Sequence, residues 1–518
     1  MSTSANERDG HRARKAVLAF PLLALMISSC SVGPKYARPP VETAPAWKEA
    51  PQQSENGPQI WQPTVPSDAA SRGKWWTAFN DPQLNELEEK AIAANRQIAG
   101  AADSFLAARA MVRQARSQYY PTLTASPSAT RSLPSTAEFG GLKTGNSTTS
   151  EPSVHTFNNF SLPFDASWEP DFWGRIQNSV RANTYSAQAS AADLENVRLT
   201  VEAELAVDYY ELRAQDSLKN ILDSTVSNFQ TDLNLTRSQY KTGLGSDEAV
   251  AQAEAQLEAA QAQDSDLELL RDQYEHAIAV LIGQSPSTFS LRVNALDEPP
   301  PQIPVGIPSE LLERRPDIAS AERSMALANA QIGVAKAAYF PSVLLSGEGG
   351  FGNSQLSNWL TWPSGFWAVG AALSETIFDA GLRRATVQQY RATYDQTVAN
   401  YQQTVLSAFQ QVEDNLASLR VLRRDLAWQN QATESASRAL EEATTRFKAG
   451  LDPYLNVVVA QTALLNDQQI QVTFRAQQMV ATVQLIKALG GGWNAATLPS
   501  QKDIRAQVAN RASQLGGQ

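Results

Sequence analysis

Apolar residues recur at spacings of mostly three and four through one long stretch of the chain: Tyr394, Val398, Tyr401, Val405, Ala408, Val412 and Leu419. That stripe is the seam of a coiled coil. The segment that carries it, 382–449, contains neither glycine nor proline, and 175–242 is its match in both respects. One straight helix through either run reaches roughly 100 Å. The unbroken runs that follow, 247–282 and 454–489, are equal in length and predict helices of roughly 54 Å. A compact domain cannot hold such helices, so the choice lies between an elongated barrel and a solvated rod.

A second pattern, of period two, decides against the rod. Phe160, Leu162, Phe164, Ala166 and Trp168 alternate with Ser161, Pro163, Asp165, Ser167 and Glu169. Trp367, Val369, Ala371 and Leu373 alternate with small or polar residues, and 122–129 and 342–348 follow the same rule more weakly. Strands are expected at about 119–130, 157–169, 341–349 and 366–378. Segments of roughly 8–10 alternating residues suit a tilted crossing of an outer membrane. The other reading of the pattern is a soluble sheet of two hairpins. Tyr119-Tyr120-Pro121 and Tyr339-Phe340-Pro341 stand at the helix-to-strand junctions. Proline stops the helix there, and the aromatics suit an interfacial belt.

The two patterns occur twice. Ala115 to Leu123 matches Ala335 to Val343, and Ile98-Ala99 matches Ile318-Ala319. Tyr240-Lys241-Thr242-Gly243-Leu244 matches Phe447-Lys448-Ala449-Gly450-Leu451; Gly174 pairs with Gly381, and Ile282-Gly283 with Leu489-Gly490. The second set of offsets is shorter by about 13 residues, which places an insertion in the 121–174 connection, as repeats allow. The expected organisation is therefore an arm at 30–80, one repeat at 81–290, a proline-rich linker at 291–307, a second repeat at 308–492 and a tail at 493–518. Order is expected to begin at Asp81-Pro82, an N-cap followed by a first-turn proline. Four strands cannot close a barrel, and lipid does not tolerate an open sheet edge. Three chains would supply twelve strands and twelve helical columns. The fold class expected is α+β membrane: a trimeric 12-stranded β-barrel, four strands per chain, continued by a 12-helix α-barrel.

Composition and charge narrow the function. The formal charge of −10 argues against nucleic acid as a partner. Arg12, Arg14 and Lys15 precede an apolar stretch at 16–27 that is too short to span a bilayer. It ends in Ile27-Ser28-Ser29-Cys30, which resembles a bacterial lipobox. Residues 1–29 read as a signal peptide cleaved between Ser29 and Cys30, which leaves a mature chain near −12. Cys30 is the sole cysteine, so no internal disulfide exists. Ser31, by resemblance to bacterial lipoproteins, is compatible with outer-membrane sorting.

Three further stretches are distinctive: Val32-Gly33-Pro34-Lys35-Tyr36, Trp75-Trp76 with Phe79-Asn80-Asp81-Pro82-Gln83-Leu84, and the run Ile307 to Ile318 containing Glu313-Arg314-Arg315-Pro316-Asp317, followed by Ala321-Glu322. With the repeat, they resemble the outer membrane factor family, the TolC-like proteins, and most of all its lipoprotein branch found with RND-type pumps. The resemblance covers nearly the whole mature chain. It implies a homotrimer in the outer membrane with its α-barrel in the periplasm. It also implies a periplasmic adaptor and an inner-membrane RND transporter as partners, efflux of small molecules, and N-acyl and S-diacylglycerol groups on Cys30. Exit ducts of type I protein secretion share the architecture, and a structural or adaptor coiled-coil lipoprotein is the remaining alternative. An adaptor would show one hairpin flanked by glycine-rich β-domains and not two equivalent hairpins.

No enzyme constellation is present: the three histidines are scattered, and no nucleophile motif or phosphate loop occurs. No cofactor or metal is expected. The two glycine-centred breaks are the hairpin tips. Gly243, Leu244 and Gly245, with Gly450 and Leu451, are the candidates for contact with an adaptor, because bare glycine and an apolar side chain allow close approach. Ser246 and Asp452 are placed to cap the helices that follow, with Pro453 at the first helical position. The resemblance further implies that Asp452 lines the pore as an acidic ring, where crowded carboxylates would raise one another's pKa. The deeper positions that hold another Asp in many relatives read Asn456 and Val459 here.

Overall fold

The computed structural model describes residues 32–40, 43–49, 73–133, 156–304 and 308–506. The expected signal peptide, Ser29, Cys30 and the 134–155 loop lie outside them. Ordered structure starts before Asp81. A 3-10 turn at Trp75–Phe79 buries Trp75, Trp76 and Phe79, so the aromatics draw the chain in ahead of the cap. Helix α1 (Pro82–Ala94) then begins as its sequence dictates, with the Asp81 carboxylate accepting from the backbone of Gln83 at 2.9 Å and Leu84 at 3.2 Å.

Helix α2 (Arg96–Ser117) leads to strands β1 (Thr122–Ala125), β2 (Ser128–Ser132) and β3 (Phe157–Trp168). Helix α3 (Arg175–Lys241) has 67 residues and α4 (Asp247–Leu281) has 35. The second half repeats the series with α5 (Leu311–Arg314), α6 (Pro316–Ala337), β4 (Ser342–Asn353), β5 (Gly365–Ser374), α7 (Leu382–Lys448) and α8 (Tyr454–Ala488). Helices α7 and α8 again have 67 and 35 residues. A short helix, α9 (Gln501–Ala506), closes the described chain. No helix among the described residues is long and apolar enough to cross a membrane.

The columns stand side by side. Toward the sheet, α2 packs on α3, α3 on α6, and α6 on α7. Toward the other end, α4 packs on α3, α3 on α8, and α8 on α7. The largest core lies midway along, where Leu205, Tyr209 and Leu212 of α3 meet Leu84 of α1, Ile278 of α4 and Val483 of α8. The predicted seam of α7 is buried at Tyr401, Val405, Ala408 and Val412, with Leu416 joining it, and packs on α6 and α8.

One device recurs in both halves and explains the distinctive run around Arg315. Each return helix ends on a glycine with positive φ, Gly283 at +71° and Gly490 at +92°. A Cβ on either would collide with a backbone oxygen, that of Ala94 or of Arg314. The neighbouring residue then ties off the helix end: Asn95 Nδ2 donates to the Leu281 carbonyl at 2.8 Å, and Arg315 Nη1 to the Ala488 carbonyl at 2.9 Å. Arg315 is held in place by Asp317 at 2.6 Å. The last free carbonyls of a helix are thereby satisfied.

The sheet order is β1/β2, β3, β4, β5, all antiparallel. The first expected strand is broken at Ser126-Pro127, because proline has no N–H for the ladder. Strand β4 runs four residues past its expected end, to Asn353, and β5 stops at Ser374 rather than near 378. Ile377 and Phe378 follow it as exposed residues.

The arm residues 32–40 and 43–49 carry no regular structure and lie along the helices. Tyr36 donates to Glu322 Oε1 at 2.6 Å, Arg38 donates to the Tyr401 hydroxyl at 3.1 Å, and Trp47 packs into the Leu416–Leu485 cluster.

Candidate functional site

Both hairpin tips close with one backbone motif. Gly243 and Gly450 take φ of +76° and +73°, where a side chain is strained. Leu244 N–H donates to the Gln239 carbonyl and Leu451 N–H to the Arg446 carbonyl, each at 2.9 Å, while each glycine N–H donates one position further on. This is the Schellman arrangement, in which the residue after glycine usually finds an apolar partner on its own helix. Here both leucines stay largely exposed, Leu244 at 83% and Leu451 at 70%. Gly245 completes the first tip, and Ser246 caps α4 by accepting from Ala249 N–H at 3.2 Å.

Asp452 departs from its expected capping role. Helix α8 starts at Tyr454, Pro453 is its N-cap, and no side chain caps it. The Asp452 carboxylate instead takes the Arg446 guanidinium, Nε to Oδ2 at 2.6 Å, across the turn. That hydrogen bond, with the charge of Arg446 and a hydrogen bond from Asn456, holds Asp452 below the usual carboxylate range in the protomer. The pKa elevation expected of crowded carboxylates is absent within one chain, because the nearest charge is a cation. Arg446 is thus a residue of the tip that spacing did not reveal. It sits on the preceding helix, and only the Schellman turn brings it beside position 452.

Asp452, Leu455, Asn456 and Val459 lie on one stripe at the start of α8, and Leu455 and Val459 are 50% and 61% exposed. The opposite face is fixed. Tyr454, Val457 and Val458 pack on Phe229 and Leu233 of α3 and Leu257 of α4. Gln461 Nε2 also donates to Asp232 at 2.5 Å. The second tip is therefore braced against the first hairpin and presents a single acidic group followed by amide and apolar side chains.

At the far end, one face of the sheet carries Phe164, Trp168, Trp367, Val369 and Leu373, all exposed. The other carries Thr124, Ser161, Asp165, Ser346 and Glu348, with Asp165 and Glu348 directly paired across β3 and β4. Among the described residues, strand β1/β2 and strand β5 each have one unpaired edge. The aromatic junctions are locked by indole N–H donors: Trp168 to the Tyr119 carbonyl at 3.0 Å, and Trp173 to the Pro341 carbonyl at 2.8 Å. Phe340 stacks on Trp173 at 4.8 Å. Among the described residues, no group of His, Cys, Asp and Glu is placed to hold a metal ion.

A membrane-faced sheet continued by helices of about 100 Å defines an outer-membrane channel of the TolC-like fold. The chain belongs to the outer membrane efflux protein family, whose model matches residues 87–284 and 307–491. It is 28% identical over 481 residues to the probable efflux pump outer membrane protein TtgC of Pseudomonas putida KT2440, covering 92% of this chain and 96% of that one. It is 32% identical over 431 residues to the pyoverdine export outer membrane protein OpmQ of Pseudomonas aeruginosa PAO1, covering 82% and 89%. Among solved structures, the outer-membrane channel OprN superposes with a TM-score of 0.78 at 29% identity, over 90% of this chain and all of that one. The chain is an outer-membrane channel component of an efflux system, and the family is one of channel proteins and not of enzymes.

Proposed function

We propose that three copies of this chain close into a 12-stranded barrel and a 12-column α-barrel, forming a passive exit duct. One observation carries the reading: among the described residues, the sheet and the helix row are unpartnered along the same two edges. On one side stand β1/β2 with Leu106 and Met111 of α2 and Leu269 of α4; on the other stand β5 with Leu382, Leu406 and Trp428 of α7, all of these side chains exposed. An open strand edge is not stable in lipid, so each edge must meet the opposite edge of another copy.

In this assembly the tips point into the periplasm. Gly243, Leu244, Gly245, Gly450 and Leu451 meet the hairpin tips of a periplasmic adaptor, which joins the duct to an inner-membrane RND transporter. Asp452 forms a threefold acidic ring that constricts the pore. Cys30 carries the lipid anchor. The hydrogen bond from Val32 N–H to the Trp173 carbonyl at 3.1 Å supports this, since two residues reach at most about 7 Å from the foot of the sheet. The cargo is small molecules, a reading supported by the pyoverdine export for which OpmQ is named. The test is complementation: a strain lacking its own exit duct but holding a cognate adaptor and RND pump regains resistance to the pump's drugs when this chain is expressed. Unaltered susceptibility, with the chain present in the outer membrane, contradicts the reading.

A further inference from the structure

Just below the foot of β1, between the end of α2 and the start of α3, lies a cavity of about 320 Å3. Arg116 and Arg181 line it, with Tyr119 and Tyr120 above, Gln177 at the side and Gln501 of α9 below. The lining holds no carboxylate, and among the described residues neither guanidinium has an ion-pair partner. Two uncompensated arginines facing one cavity are unusual in a chain of net charge −10.

Position fixes what such a site meets. Tyr120 is 68% exposed and directly precedes the strand that enters the membrane. Exposed aromatics at that level mark the headgroup zone. The backbone of Val32 is bound to Trp173 next to the same helix start, so the described arm begins at this height. Guanidinium groups bind phosphate oxygens through paired, charge-assisted hydrogen bonds.

We propose that Arg116 and Arg181 bind the phosphate of a membrane phospholipid. The proposal rests on the reading that the sheet lies in the membrane. A phosphodiester between two arginines supplies the missing anion. The tyrosine rings then border the glycerol and upper acyl region.

Native mass spectrometry of the detergent-purified full chain tests it, with dioleoylphosphatidylglycerol, dioleoylglycerol or inorganic phosphate added. Wild type retains phosphatidylglycerol but not diacylglycerol. The double variant Arg116→Gln/Arg181→Gln retains it at least about tenfold more weakly. Arg113→Gln, an exposed neighbour on α2 outside the cavity, behaves as wild type. Equal retention by wild type and the double variant overturns the site. Binding of inorganic phosphate as tight as that of the lipid overturns the headgroup assignment in favour of a soluble anion. Insertion into planar bilayers is scored on the same preparations. Failure of wild type to insert rejects the membrane reading, whereas insertion without selective lipid retention rejects this site alone.

Discussion

Glu88 on α1 is fully buried, and neither of its carboxylate oxygens has a hydrogen-bond partner. Burial and the nearby charge of Glu202 push it well above the usual carboxylate range. Burial lifts Glu202 from 4.5 to about 7, against the opposing pull of the Trp75 indole, which donates to it at 3.0 Å, and of Arg198; Glu195 adds to the rise. Both groups hold protons in the folded chain that the unfolded chain releases. Their contribution to stability is complete below about pH 4.5 and is lost as pH rises through 7 and above. Glu88→Gln imitates the protonated acid permanently. The variant is expected to unfold at a higher temperature than wild type at pH 8, with the difference narrowing at pH 5. Thermal scans at one fixed rate decide this, and parallel profiles at the two pH values contradict it. Asp452 shows the opposite chemistry, since Arg446 favours its charged form. If three such groups narrow the pore, Asp452→Ala raises single-channel conductance in planar bilayers, and an unchanged conductance removes Asp452 from the gate.

The long helices were legible because glycine and proline are the residues least favourable inside a helix, and 175–242 and 382–449 lack both. Their ends fell within a residue of the described bounds, since each closes on a glycine with positive φ. The strands were less legible. Glycines at 347, 349, 350 and 352 erase the alternation that would have extended β4, although a Cβ on Gly350 would meet the backbone of Leu162. The tips were located by the Gly-Leu pairs, but the partner of Asp452 was not, because Arg446 lies six residues back across a turn. The Arg116–Arg181 cavity was invisible for the same kind of reason, as it joins residues 65 apart. Leu244 remains the clearest signal at this scale. At 83% exposed, it is placed for the adaptor contact proposed above. Leu244→Cys is expected to cross-link to a single cysteine at the adaptor's hairpin tip in intact cells, and no cross-link at any adaptor tip position contradicts that contact.

At the scale of the whole molecule, the two halves share helix lengths while their tips differ. The first tip is Gly243-Leu244-Gly245 with Ser246 as a cap, and the second is Gly450-Leu451 with Asp452 held by Arg446. A ring of three chains would alternate these tips around the pore, so that docking and constriction fall on different hairpins. The sheet stands at one end of the helix row and the hairpin tips at the other. Every part of this account requires that the two open edges of one chain be closed by other copies. The mass of the purified full-length particle, measured intact by native mass spectrometry, tests that requirement directly. The account predicts three chains, with no abundant monomer or dimer; a stable particle of one or two chains that still conducts in planar bilayers would contradict it.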